Sequence, residues 1–302
     1  MVYLKTFVTP KDSWVDWYFN FIDTRELHEL RNTLENLFAE LPNEKVVIPN
    51  QVPCYKSWYP WNTFYGKELC PLKFEDITIL YGGNGSGKTT LLNLIAEKLH
   101  LSRTTLFNRS PFWDNYVEIC KYEQENSMNA ARAIHNGSII TSDDVFKYML
   151  ENRKINLETD NNREEILSEF YCNYDKKSMG KIASRYVKSK LRKVNEARSN
   201  GETAFRYFVD SVKDDSLILF DEPENSLSAQ WQMELSNFLR GAVRAFNCQF
   251  IIATHSPFLL SIQGAKIYDL DSIPVCTNEW YKLDNVRAYY ELFEKNIDLF
   301  RV

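Results

Sequence analysis

The sequence predicts an α/β fold, a mostly parallel sheet covered by helices, with a mainly helical insertion. Three observations carry that expectation. Short apolar runs alternate with helically spaced apolar residues on both sides of a polar middle. One such run, Ile77 to Tyr81, passes directly into a glycine-rich loop and then a helical pattern. Another, Leu217 to Phe220, ends in two adjacent carboxylates.

Taken in order, Val2 to Val8 alternates as a strand and is stopped by Thr9-Pro10. Leu27, Leu30, Leu34, Leu37 and Phe38 fall at helical spacing, which predicts a helix over Thr24 to Leu41. Ile77 to Tyr81 reads as a buried parallel strand entering a tight turn. Behind the glycines, Leu91, Leu92, Ile95, Ala96 and Leu99 share one helical face. From Leu101 to Asn195 polarity rises and no strand run is long; the expectation is one domain over 1–302 with a helical insertion at 101–195. Val145 to Leu150 and Ile166 to Tyr171 look helical within it. The α/β pattern returns as a strand at Leu217 to Phe220, a helix at Ala229 to Phe246, and strands at Gln249 to Ala253 and Ala265 to Leu270.

Bulk properties narrow the class. Hydrophobic residues make up 44% and charged residues 25%, ordinary for a globular chain with a sizeable core. The formal net charge of -5 argues against a surface that attracts nucleic acid everywhere. No apolar run approaches the ~18 residues that cross a bilayer, and Met1 to Lys5 does not read as a secretory signal. Six cysteines (Cys54, Cys70, Cys120, Cys172, Cys248 and Cys276) are scattered without a Cys-x-x-Cys pair. That usage fits packed thiols in a reducing compartment, so a cytoplasmic location is expected.

Gly82-Gly83-Asn84-Gly85-Ser86-Gly87-Lys88-Thr89 fits G-x-x-x-x-G-K-[ST] without a mismatch, and Thr90 follows it into the helix. Glycines let successive N–H groups turn inward on a phosphate, and the helix N-terminus adds its positive end. Lys88 is expected on the β- and γ-phosphates and the Thr89 hydroxyl on Mg²⁺. Asp221 and Glu222 stand at the carboxyl end of a buried strand, where open α/β sheets bind ligands. Asp221 is expected to hold Mg²⁺ through water. Glu222 is the expected general base that aligns the attacking water. The competing reading of Asp221 to Asn225 is a solvated turn.

Leu219-Phe220-Asp221-Glu222-Pro223-Glu224-Asn225-Ser226-Leu227 closely resembles the Walker B and D-loop of ATP-binding-cassette ATPases, and Asn84 to Thr89 resembles their Walker A. Ala253-Thr254-His255-Ser256-Pro257 is similar to the switch-histidine motif of the soluble branch. That branch includes RecF-like, chromosome-maintenance-like and small bacterial AAA-family ATPases. The matching motifs cover roughly 72–90 and 196–270. The resemblance implies a P-loop NTPase fold, ATP and Mg²⁺ as ligands, and ATP hydrolysis. It implies that His255 contacts the γ-phosphate and the attacking water; a lone strand-end histidine is otherwise a structural residue.

The resemblance also implies a serine-glycine signature that contacts the nucleotide of the opposite subunit. Ser199-Asn200-Gly201-Glu202 is the candidate, with Asn200 and Glu202 departing from the usual form; its bland reading is a turn and helix cap. A homodimer with ATP at its interface and an unidentified protein partner follow from it. The family's glutamine between these motifs has no clear counterpart. Gln124 stands in a polar stretch, whereas Ser142 and Asp143 follow a better strand. For the aromatic that stacks on adenine, Tyr59, Trp61 and Tyr65 are candidates, but core packing explains rings in that cluster better. Lys176 to Lys193 holds eight basic residues and no acidic one; a solvated segment is the default reading and a nucleic-acid backbone contact the alternative. Three functions are thus open: a partner-driving ATPase, a nucleotide-gated DNA clamp, and the energising subunit of a membrane transporter.

Overall fold

The structure, a computed structural model, describes residues 2–16, 58–69, 71–154 and 200–301. Nine strands form two sheets among these residues. β1 (Leu4–Val8) lies between β2 (Leu72–Lys73) and β4 (Lys121–Gln124) in an antiparallel sheet. The larger sheet has the order β5-β6-β7-β3-β8-β9, formed by β3 (Ile77–Tyr81), β5 (Ser138–Thr141), β6 (Leu217–Asp221), β7 (Gln249–Ala253), β8 (Lys266–Asp269) and β9 (Cys276–Thr277). Every pairing in it is parallel except β8 with β9. This is the doubly wound P-loop NTPase arrangement, and the expected fold class holds.

Burial explains the strand choice. β3, β6 and β7 are buried at every position, so continuous apolar runs suit them and alternation does not. Helices cover both faces: α1 (Lys88–Lys98), α2 (Trp113–Ile119) and α3 (Met128–His135), then α4 (142–154), α5 (Asn200–Ser211), α6 (Ala229–Ala245) and α7 (Asp284–Lys295). On one face Leu91, Leu92 and Ile95 of α1 meet Leu219 and Ile251. On the other, Phe208 of α5 and Leu235 and Leu239 of α6 meet Phe220 and Phe250. Phe220 lies edge-on to Phe208 at 5.3 Å and stacks on Phe250 at 5.9 Å.

Two buried side chains join the sheets, Tyr268 of β8 and Gln249 of β7. The Tyr268 hydroxyl accepts from the Lys73 N–H (2.8 Å) and donates to the Lys73 carbonyl (3.0 Å). Gln249 Oε1 accepts from the backbone N–H groups of Tyr3 (3.0 Å) and Leu4 (2.8 Å). Its Nε2 donates to the carbonyls of Leu4 (3.0 Å) and Glu75 (3.1 Å). The amide thereby uses both its donors and both its lone pairs inside the protein.

Several expectations need correction or limits. The span from residue 101 contributes β4 and β5 to the two sheets, so its described helical arm starts at 142 with α4. The polar stretch that holds Gln124 is itself a strand: Gln124 ends β4, paired with Leu4. Between β3 and the acidic strand β6 lies β7. The predicted helix over 24–41, the segment 166–171 and the basic stretch 176–193 lie outside the described residues. No described helix is long and apolar enough to cross a membrane.

Candidate nucleotide site

β3 ends at Tyr81 and the chain turns through Gly82 to Gly87 before α1 begins at Lys88. Gly87 has φ 100°, in the left-handed region, and a Cβ there would stand 2.8 Å from Thr63 Cγ2. Only glycine satisfies both demands. The loop is braced by two residues that sequence reading did not single out. Lys67 Nζ donates to the carbonyls of Ser86 (2.6 Å) and Leu270 (2.9 Å). Asp271 Oδ2 accepts from the Gly83 N–H at 2.7 Å. Burial lowers the Lys67 pKa, partly offset by Asp271 and Asp269. No spacing rule connects Lys67 or Asp271 to the loop; tertiary folding alone brings them there.

A cavity of about 350 Å³ opens over the loop, lined by Asn84, Gly85, Ser86, Gly87, Lys88, Thr89 and Thr90, and by Tyr59, Thr63 and Glu222. Lys88 is 4% exposed; its Nζ donates to the carbonyls of Gly82 (2.7 Å) and Gly83 (3.0 Å) and lies 3.5 Å from Glu222 Oε1. The Thr89 hydroxyl donates to Asp221 Oδ1 at 3.0 Å. Loop and acidic strand therefore meet despite the strand between them. The reason is register: the ends of β3, β7 and β6 lie level, with Leu80 opposite Ala253 and Ala253 opposite Asp221.

The electrostatics suit a cation. Burial pushes the Asp221 carboxyl up to about 7, with Glu222 adding to the rise and the Thr89 hydroxyl and Lys88 opposing it. A divalent ion beside Asp221 would reverse that balance and hold its carboxylate ionised. Among the described residues no cluster of three His, Cys, Asp or Glu could hold a metal alone. Mg²⁺ does not require one, since it keeps waters and takes one or two protein oxygens plus substrate phosphates. A glycine-lined cradle with one buried ammonium group, flanked by a hydroxyl-carboxylate pair, fits a magnesium triphosphate.

Glu222 adopts φ 48°, ψ 54°, and its N–H donates to the Ala253 carbonyl at 2.9 Å. That left-handed turn directs its side chain to the cavity wall. His255 follows β7 but is not among the residues lining the cavity; its side chain is 46% exposed. Of the ring candidates, Tyr59 lines the cavity and stacks on Trp113 at 5.5 Å, Trp61 is core, and Tyr65 bonds Asp16 at 2.9 Å. Thr141, at the end of β5, pairs with Asp221, so Ser142 and Asp143 leave the sheet beside the acidic strand. Gln124 belongs to the other sheet.

Gly201 and Glu202 occupy the first turn of α5, away from this cavity, and Ser199 lies outside the described residues. Gly201 has a packing reason of its own, because a Cβ there would stand 2.7 Å from Trp231 Cδ1. Trp231 stacks on Phe205 at 5.0 Å and cannot swing clear cheaply. Gly201→Val is therefore expected to destabilise the fold by about 1–3 kcal/mol. Urea denaturation checks this, and an unchanged midpoint would remove the packing argument.

Residues 123–261 match the family described as "AAA domain, putative AbiEii toxin, Type IV TA system". That match includes β6 and β7 but stops short of the glycine loop. Over 211 residues the chain is 29% identical to the lipoprotein-releasing system ATP-binding protein LolD of Buchnera aphidicola subsp. Acyrthosiphon pisum (strain APS), covering 65% of this chain and 85% of that protein. Looser likenesses among solved structures include an SmcHead bound to the C-winged helix domain of ScpA, with TM-score 0.39, 15% identity, and 72% and 94% of the two chains covered. A dimeric bacterial ABC transporter cassette gives TM-score 0.37 at 14% identity, covering 70% and 90%.

Proposed function

We propose, from the premise that the chain is an ATPase of the ATP-binding-cassette type, that it binds ATP with Mg²⁺ over Gly82 to Thr90 and hydrolyses it to drive a partner. The observation that carries this reading is the 3.0 Å bond from Thr89 to Asp221, which joins the phosphate loop to the acidic strand end. The loop N–H groups and Lys88 bind the phosphates, and Thr89 and Asp221 hold the cation. Bound Mg²⁺ neutralises charge on the β- and γ-phosphates. Glu222, on the cavity wall, takes the proton of the attacking water as general base. His255 contacts the γ-phosphate from the neighbouring strand end.

Gly201 and Glu202, together with Ser199, serve the nucleotide of a second copy, so each site is completed by dimer closure. The position of Gly201 and Glu202 on α5, off the cavity of their own chain, supports that role. The chain works as one ATPase unit, with the helical arm beginning after Thr141, and a cytoplasmic location fits its cysteine usage. The test is phosphate release from ATP with Mg²⁺ and with excess EDTA. Release is expected only with Mg²⁺, and slow until a partner is added. Equal rates in EDTA would end the reading.

A second reading makes the chain the ATP-binding subunit of a membrane release system, as the name of its 29% identical relative suggests. Co-purification with a multi-span membrane protein would favour it. The DNA-clamp reading rests on the basic stretch outside the described residues; DNA retention that depends on ATP and falls with salt would support it.

A further inference from the structure

Glu224 has no task in the hydrolysis scheme, yet it is the most heavily engaged carboxylate near the site. It lies in a short 3-10 turn, Pro223–Ser226, immediately after the acidic strand. Its side chain is 5% exposed. Glu224 Oε1 accepts from the Thr254 hydroxyl at 2.7 Å and from the His255 N–H at 2.8 Å, and it lies 3.2 Å from His255 Nδ1. Oε2 is buried without a hydrogen-bond partner among the described residues. An unpartnered buried carboxylate oxygen is costly, and a glutamine could serve the hydroxyl and the backbone N–H equally well. What a full negative charge serves better than an amide is the remaining neighbour, the imidazole.

We propose that Glu224 is a positioning residue that acts through His255, fixing the ring so that Nδ1 carries the proton and Nε2 is the atom left to meet the nucleotide. This rests on the reading of His255 as the γ-phosphate contact. A carboxylate oxygen 3.2 Å from Nδ1 repels a bare lone pair and attracts an N–H. The neutral ring then offers the Nε2 lone pair to the attacking water. When the ring is protonated, both N–H groups donate, one to Glu224 and the other to a phosphate oxygen. The backbone is held from both sides: the Asn285 side-chain amide donates to the His255 carbonyl, and the Ser256 N–H donates to Thr254 Oγ1 at 3.0 Å. The Thr254-His255-Ser256 segment is thereby fixed around one carboxylate.

The experiment combines histidine-¹⁵N NMR on the nucleotide-free full chain with steady-state ATP hydrolysis. Parent, E224A, E224Q, H255A and the E224A/H255A pair are compared. With four histidines in the chain, H255A identifies the resonance. At a pH where the ring is neutral, the parent is expected to carry Nδ1–H and E224A to move toward Nε2–H. In hydrolysis E224A is expected to lose about 10-fold in kcat with KM little changed. Adding E224A to H255A should cost less than about 2-fold more, because the two act as one unit. E224Q, which keeps an acceptor at Oε1 but loses the charge, should restore Nδ1–H and the rate only in part, falling between the parent and E224A.

An Nε2–H ring in the parent overturns the proposal by itself, even if E224A fails to fold. Losses in E224A and H255A that multiply overturn it as well. H255A hydrolysing at the parent rate instead overturns the γ-phosphate assignment and, with it, the role in hydrolysis; the tautomer measured beside it shows whether the ring contact was also wrong.

Discussion

Glu222→Gln is expected to bind Mg²⁺-ATP as well as the parent while hydrolysing it about 10²- to 10⁴-fold more slowly. The substitution conserves shape. Its main-chain bond to Ala253 is untouched, and the side-chain amide of Asn225, which donates to Glu222 Oε2 at 3.1 Å, can still donate to the new carbonyl. The ability to accept a proton from water is lost. The charge opposite Lys88, 3.5 Å away, is also lost, and that change favours a polyanionic ligand. Because bound ATP is no longer consumed, the variant should accumulate as a dimer of twice the chain mass in Mg²⁺-ATP, read by light scattering after size exclusion. Hydrolysis at the parent rate would show that Glu222 is not the base.

Lys88→Ala should leave the fold intact and weaken ATP binding by about 10- to 100-fold or more. A charge-assisted hydrogen bond contributes roughly 1.5–3 kcal/mol, and Lys88 supplies the ammonium group on the cavity wall. Its partners in the structure are the carbonyls of Gly82 and Gly83 and the Glu222 carboxylate. Without the lysine the cavity would present those oxygens to a triphosphate with no cation among them. Fluorescent-nucleotide titration measures the loss, and an unchanged melting temperature separates it from unfolding. Parent-like affinity would show that the loop is not the phosphate site.

How much of this was legible beforehand follows from how each signal is encoded. Ile77 to Tyr81, Leu217 to Asp221 and Gln249 to Ala253 were readable because a strand buried on both faces needs an unbroken apolar run. β4, Lys-Tyr-Glu-Gln, was not, because it is exposed at every position and owes its conformation to pairing with β1. α7 was missed although Val286, Tyr289, Tyr290 and Phe293 fall at helical spacing; of these Val286 alone is buried, so the apolar face has little core to mark it. Within the site, loop and acids are contiguous in sequence and could be named. Lys67, Asp271 and Asn285 brace the same region from far along the chain, and nothing local marks them. Gly201 shows the opposite hazard, a motif position whose residue type packing against Trp231 also demands.

The Gln249 side chain has a mechanical consequence. It rivets the start of the outer three-stranded layer to the central platform through three bonds to Tyr3 and Leu4, with a fourth to the Glu75 carbonyl in the connection before β3. Neither layer can slide past the other without stranding amide groups away from water. Displacement that accompanies nucleotide turnover is therefore expected to be taken up away from this seam rather than by sliding of one layer over the other.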